Sequence, residues 1–423
     1  LLAINVAQVW FSRWAMSEVL TQFLAWGALY CLVLYVKTSH RYFGLLAGFG
    51  LGLAVLSRAD GIFLIVPVVL YLAYLRLSRK LRADHLYFFA PFAALLLHWL
   101  MHTLLFSRTQ ALAISRALPY FSSIGPLAIG GVLLIAALLI FAFFKVGSWR
   151  LEVGGKWIRP VVAVLLVLLA LYAYFIRPGT ADPQMVYYHP AGGMIRTYNE
   201  ENLVRLGWYV TPLGLLLALG GLILMVLRAK DQGVVFFLGV AMLYGFVFLH
   251  SALVNPIHIY WIRRYVTVVI PSIMLFISYG LVQIPNIQYR ISTSLRGPLS
   301  IFLGLALIAL SLRTSLPTAG QVPYQGTVWQ IGRLAEQLGD RAAVILESPL
   351  IGDPLALPLT YLYDRDSFVL QGHGMDNKRF SDLVERWRER GREVFYIAYD
   401  GLTRIGSDDY VFSPVGEVSL DIP

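Results

Sequence analysis

The chain has 423 residues, of which 58% are hydrophobic and 14% charged, with a mean hydropathy of +0.67. That composition excludes an ordinary soluble globular protein and indicates a polytopic membrane protein. The net charge of +10 hides a division, because residues 1–313 carry 24 Lys/Arg against 8 Asp/Glu and residues 314–423 carry 10 against 16. A basic membrane domain, 1–313, is therefore expected to precede a mildly acidic, water-facing domain, 314–423. One cysteine, Cys31, allows no internal disulfide. Leu1 is not a start residue and an apolar segment is already under way, so an upstream N-terminal part is expected.

In chain order, the first informative stretch is Trp10-Phe-Ser-Arg-Trp-Ala-Met-Ser-Glu18, which sets Arg13 and Glu18 at the edge of a long apolar run. One reading makes it an interfacial anchor, with the tryptophans in the aromatic belt and Arg13 at the head groups. The other turns both charges into a cavity, and that reading requires the chain to bend near Ser17, because five residues of ideal helix set the two side chains about 140° apart.

About twenty apolar residues cross a bilayer, and ten such segments are expected, near 18–36, 42–57, 60–75, 86–106, 127–144, 160–176, 209–227, 232–250, 265–284 and 299–313. The second and third are short and meet at Ser57-Arg58-Ala59-Asp60-Gly61, which predicts a helical hairpin with a charged tip. Threading the segments alternately puts fourteen Lys/Arg on one side, from Lys37 to Arg296, and nine on the other, among them Arg13, Arg58, Arg177, Arg196, Arg205, Arg263 and Arg264. The richer side is expected to be cytoplasmic, which turns Glu18, the 177–208 loop and the C-terminal domain outward.

After Thr314 the pattern becomes that of a small α/β domain. Helices are expected over Val328–Leu338, Leu355–Tyr363 and Lys378–Arg390, and strands over Ala342–Leu346, Ser367–Leu370 and Val394–Ala398. Gly50 and Gly52, or Gly220 and Gly221, read as helix-packing positions.

Charges at a membrane edge are costly unless they face a cavity or a partner. Arg58 and Asp60 either pair with each other or leave Arg58 to grip a lipid phosphate, for which its planar fork is suited. His258-Ile-Tyr-Trp-Ile-Arg263-Arg264-Tyr265 is either an aromatic anchor or a phosphate or pyrophosphate site, the second because a basic pair on the outer side runs against the positive-inside bias. The outer loop holds Tyr187, Tyr188, His189, Asn199, Glu200, Glu201 and Asn202, residue types that stack on and hydrogen-bond to sugars. His189 with a nearby carboxylate could hold a divalent metal; no other cofactor is indicated.

Three stretches together resemble the polytopic GT-C glycosyltransferases that use polyprenyl-phosphate sugars, notably the protein O-mannosyltransferase and aminoarabinose-transferase group. They are Ser12-Arg13-x-x-Met16-Ser17-Glu18, the Gly-rich Gly48 to Gly61 segment with Leu56-Ser57-Arg58, and Arg264-Tyr265 followed by Pro271 and Gly280. The resemblance covers most of 1–313. It implies a mainly α membrane domain in which ten spans here and three upstream make the thirteen of bacterial members, with an extracytoplasmic soluble domain at the end.

It also implies transfer of a sugar, with inversion, from a polyprenyl-phosphate donor to a lipid, glycan or protein hydroxyl, with membrane lipids as surroundings and no nucleic acid. Glu18 and Arg13 become candidate catalytic residues, and Arg58, Asp60, His189, Glu200, His258, Arg263, Arg264 and Tyr265 candidate substrate contacts. The family's general base lies in the first external loop, which is expected upstream of Leu1. The rival readings are a flippase for a lipid-linked oligosaccharide and a non-catalytic subunit of a cell-envelope assembly. A flippase would ordinarily show internal repeats, and none is apparent.

Overall fold

The computed structural model describes residues 1–13, 16–107, 155–181, 185–188, 193–229, 231–251, 258–286, 293–322, 325–347, 349–370, 377–398, 413 and 415–416. It divides into two compact units, Leu1–Gly320 and Gln321–Pro423. The boundary lies beyond the expected Arg313/Thr314 because the helix Thr293–Ala319 runs through it.

In the first unit, α1 (Val6–Phe11) leads to α2 (Ser17–Thr38), α3 (Arg41–Ser57), a 3-10 turn (Ala59–Leu64), α4 (Ile65–Leu77) and α5 (Leu86–Leu105). Next come α6 (Gly155–Leu171), which continues through a π turn (Tyr172–Ile176) into Arg177–Thr180, and the hairpin β1 (Met185–Tyr188) and β2 (Gly193–Arg196). They are followed by α7 (Asn202–Val210), α8 (Pro212–Arg228), α9 (Gln232–His250), α10 (His258–Val266), α11 (Val269–Gln283) and α12 (Thr293–Ala319).

Among the described residues, seven helices are long and apolar enough to cross a membrane, not the ten expected. They are Ser17–Thr38, Ala59–Leu77, Ala83–Leu105, Arg159–Thr180, Gln232–His250, Val269–Asn286 and Arg296–Ala319. The expected 127–144 span lies outside the described residues. The expected 42–57 span is the 17-residue Arg41–Ser57, short for a crossing. The expected 209–227 span is the second arm of a bent pair, Asn199–Val210 and Pro212–Arg228, which meet at 103° and would make an eighth span if the two arms cross together. The bend has a local cause: a residue before proline is pushed out of the helical region, and Thr211 sits at φ 65, ψ 149 while its hydroxyl accepts the Gly214 N–H. The expected 299–313 helix is longer than its apolar core, extending to Thr293 and Ala319.

Successive helices run up and down, so the two ends of the bundle differ in charge. Arg41 Nε pairs with Asp84 Oδ1 at 3.0 Å, joining the start of α3 to the turn before α5. Gln232 donates to the Tyr74 hydroxyl at 3.3 Å, joining the start of α9 to the end of α4, and Arg159 donates to the Leu227 carbonyl at 3.3 Å, joining the start of α6 to the end of α8. Lys37, Arg41, Arg76, Arg79, Lys80, Arg82, Arg159 and Arg228 therefore lie at one end. Glu18, Arg58, Arg177, Arg263 and Arg264 lie at the other.

Small residues allow the closest helix crossings, as the sequence suggests for Gly50, Gly52 and Gly221. A Cβ on Gly221 would stand 1.8 Å from the Phe276 carbonyl oxygen, where α8 meets α11 beside Gly280, whereas Gly220 has nothing within 4 Å. Backbone cannot retreat as a flexible side chain can. Gly221→Leu is expected to cost about 2–3 kcal/mol and lower the melting temperature in detergent, while Gly220→Leu leaves it unchanged.

The second unit alternates as expected: α13 (Thr327–Leu338), β3 (Ala342–Leu346), α14 (Pro349–Tyr361), β4 (Asp366–Val369), α15 (Asn377–Glu389) and β5 (Glu393–Ile397). The sheet is parallel with order β4-β3-β5, and Val344 pairs with Ser367 on one side and Phe395 on the other. Central β3 is apolar and buried at all five positions, as a strand covered on both faces must be. Ile331, Ala335, Leu355 and Leu359 pack one face, and Phe380, Val384 and Trp387 the other. α14 begins six residues before the expected start, because Pro349 suits the first turn of a helix, where its missing N–H costs nothing.

Candidate functional site

Five charged side chains from three segments converge at the end of the bundle opposite the Lys/Arg-rich one. Glu18 stands in the first turn of α2, Arg58 and Asp60 at the tip between α3 and α4, and Arg263 and Arg264 on α10. The hairpin tip is tight: Arg58 is extended, at φ −153, and a Cβ on Gly61 would lie 2.7 Å from the Ala54 carbonyl oxygen. On α10, Trp261, Ile262, Tyr265 and Val266 are buried, which leaves Arg263 and Arg264 on the half-open side.

Arg58 is the hub. Its Nε donates to Asp60 Oδ1 at 2.8 Å and its Nη2 to Asp60 Oδ2 at 2.9 Å, a bidentate grip. Its Nη1 pairs with Glu18 Oε1 and approaches Ser17 Oγ at 3.4 Å. Glu18 Oε1 also pairs with Arg263 Nε at 2.7 Å, and Asp60 Oδ2 with Arg264 Nη1 at 3.2 Å. Glu18 is 1% exposed and Arg58 and Asp60 8% each, whereas the side chains of Arg263 and Arg264 keep 29% and 23%. Burial lowers the Arg264 guanidinium from the ordinary arginine value, while Asp60 beside it acts in the opposite direction.

Neutral hydrogen bonds hold the three segments in place. Gln22 donates to the Val266 carbonyl at 3.0 Å and Trp26 to the Thr267 carbonyl at 3.2 Å, tying α2 to the break between α10 and α11. Thr21 and Ser57 share a hydrogen bond of 2.7 Å, and Tyr244 donates to the Asp60 carbonyl at 3.0 Å. The sequence reading passed over Gln22 and Tyr244, although a polar side chain inside an apolar run was the signal that could have found them.

A second network anchors α10 from behind. Fully buried Asn202 donates to the Phe248 and Leu249 carbonyls at 3.1 and 3.3 Å and accepts from Trp261 Nε1 at 2.7 Å. Arg177 donates to the Leu249 and His250 carbonyls at 2.8 and 2.6 Å. The last carbonyls of α9, orphaned by the helix end, are thereby satisfied.

The other candidates are placed differently. Arg13 does not join Glu18: the chain breaks between them as the bend required, but Arg13 Nη1 donates to the Thr318 carbonyl at 2.7 Å near the end of α12. Tyr265 is fully buried and donates to the Phe248 carbonyl at 2.7 Å. Glu200 is 2% exposed and accepts from Arg196 at 2.5 and 3.1 Å. Beside it Arg205 pairs with Glu201 at 3.0 Å and lies over the Tyr198 ring, 3.9 Å from its centroid. His189 lies outside the described residues, and His258 starts α10 with a side chain that is likewise outside them. Among the described residues, no group of three or more His, Cys, Asp or Glu gathers in a way that could hold a metal ion.

No family model, curated protein or solved structure matches the chain. The chemistry must therefore be argued from the cluster. Among the described residues of the cluster, three guanidiniums face two carboxylates, an excess of one positive charge, and the two arginines that remain partly open are Arg263 and Arg264. A net positive charge at a membrane edge calls for an anion. Arg58 is the most enclosed of the three, its Nε, Nη1 and Nη2 all turned to Asp60, Glu18 and Ser17.

Proposed function

We propose that this chain is the membrane part of a glycosyltransferase that takes a sugar from a polyprenyl-phosphate donor and passes it, with inversion, to an acceptor hydroxyl on the extracytoplasmic side. The observation that carries this reading is the half-open Arg263-Arg264 pair, aimed by two buried carboxylates and set at the end of the bundle away from the Lys/Arg-rich end. If the basic end is cytoplasmic, the site faces outward, where a lipid-phosphate sugar is available without any nucleotide.

In the proposed reaction the acceptor oxygen bonds to the anomeric carbon as the bond from that carbon to the phosphate oxygen breaks. The phosphate keeps the electron pair, and its charge grows from one negative towards two. Arg263 and Arg264 meet that growing charge. Asp60 and Glu18 orient the two guanidiniums, Arg58 holds both carboxylates, and a carboxylate base takes the hydroxyl proton. In the polyprenyl-phosphate GT-C enzymes that the sequence resembles that base belongs to the first external loop, and the reaction is tested on the whole protein. Proteoliposomes containing it should convert a labelled polyprenyl-phosphate sugar to polyprenyl phosphate when supplied with envelope acceptors. Movement of the intact lipid-linked sugar across the bilayer without cleavage would establish the flippase reading instead.

The acidic second unit is proposed to face the extracytoplasmic side, as the reversal of charge in the sequence suggests. A cysteine at Asp340, whose side chain is 95% exposed, should label with an impermeant reagent in intact cells, and one at Arg79 should not. The reverse pattern would put the cluster in the cytoplasm and overturn an extracytoplasmic reaction.

A further inference from the structure

Resting on the reading of the cluster as a lipid-phosphate site, we infer that Glu18 is the residue that makes it select a singly charged phosphodiester over a doubly charged phosphomonoester. The inference comes from the balance of charge. Among the described residues, Glu18, Asp60, Arg58, Arg263 and Arg264 are the ionisable groups that face one another here, from α2, the hairpin tip and α10, and these five together carry one positive charge. A phosphodiester carries one negative charge at every pH above its low pKa and neutralises the site. A phosphomonoester at pH 8 carries nearly two, since its second pKa is about 6, and leaves a buried excess of one.

Of the two carboxylates, Glu18 controls this balance. Asp60 is locked in the bidentate grip of Arg58, with both its oxygens taken, and Arg264 adds to one of them. Glu18 has no such bidentate grip: its single Oε1 is shared between Arg58 and Arg263, so its charge bears more directly on the rim arginine. Among the described residues it is the carboxylate that pairs with Arg263. An incoming phosphate must share that guanidinium with it, and a dianion beside the Glu18 carboxylate meets more repulsion than a monoanion does.

The consequence for turnover is direct. The donor is a phosphodiester and the lipid left after transfer is a phosphomonoester, so Glu18 favours entry of the one and departure of the other. A neutral residue in its place would raise the site by one positive charge, hold the product and slow the cycle through release.

The test compares two probes with the same chain, farnesyl methyl phosphate and farnesyl phosphate, binding to the full-length protein in detergent at pH 8. The wild type should bind the diester about tenfold more tightly, and Glu18→Gln should shift the ratio towards the monoester by about tenfold or more, the effect expected for removing one nearby charge. Arg263→Gln should move it the other way. At pH 5, where the monoester also carries one charge, the wild-type preference should vanish. A purely packing role for Glu18 would not produce that pH dependence. If both probes bind and the ratio is the same in wild type, Glu18→Gln and Arg263→Gln, the inference is overturned while the lipid-phosphate site stands. If neither probe binds the wild type, the site reading itself fails.

Discussion

Arg58→Ala is expected to destabilise the membrane unit by about 3–5 kcal/mol, the cost of breaking a buried ion pair on one side. The removed guanidinium grips both oxygens of Asp60 and one of Glu18, and all three residues are at least nine-tenths buried. Arg264 and Arg263 would still touch the two carboxylates, but from the open rim and one contact each. The protein should aggregate or melt early in detergent, and Arg58→Lys should recover only part of the loss, because an ammonium cannot reproduce the fork. Replacing Arg58 and Glu18 together by glutamine should cost less than Arg58→Ala alone, because one uncompensated charge has gone with its partner. Normal melting of Arg58→Ala together with weakened donor binding would return Arg58 to the role of phosphate ligand that the sequence alone suggested.

The arrangement has a physical logic that runs from the hub outwards. A charge in or near hydrocarbon is tolerated when paired, and Arg58 supplies the pairing for two acids. Those acids in turn position two arginines that keep a quarter or so of their surface. In the proposed transfer, rigid placement would matter because donors aimed in advance at a developing charge need not reorganise during the reaction. Gln22, Trp26, Tyr244 and Asn202 contribute to that rigidity through backbone carbonyls, so it does not depend on further charges.

Much of the fold could be read from the sequence where hydropathy or periodicity alone decides the outcome. The elements of the second unit, the start of α14 apart, fall close to expectation because β3 is apolar throughout and α13 and α15 carry a strong 3.6-residue pattern. Among the described residues the spans are seven and not ten, because 127–144 lies outside them and an apolar run does not reveal its own bends: Thr211-Pro212 turns one stretch by 103°, and Arg41–Ser57 is short of a crossing. In the site, Glu18, Arg58, Asp60, Arg263 and Arg264 were all visible as charges next to apolar runs. Which of them is committed to which could not be read, since the contacts span up to 245 positions of chain, from Glu18 to Arg263. The same holds for Arg13, which donates to a carbonyl three hundred residues away.

The double variant Arg263→Gln/Arg264→Gln is expected to remove transfer almost entirely while leaving the protein folded. The two side chains are the exposed members of the cluster, and the buried pairing of Arg58 with Glu18 and Asp60 persists without them. A hydrogen bond to a charged group contributes about 1.5–3 kcal/mol, so losing two should slow turnover by roughly a hundredfold to ten-thousandfold, at about 1.4 kcal/mol per factor of ten. Because phosphate charge increases as the anomeric bond breaks, the arginines act more strongly on the transition state than on bound donor, and kcat should fall further than KM rises. A folded double variant with undiminished turnover would remove the phosphate from this end of the bundle and leave the five-residue cluster as a structural clasp between α2, the hairpin and α10.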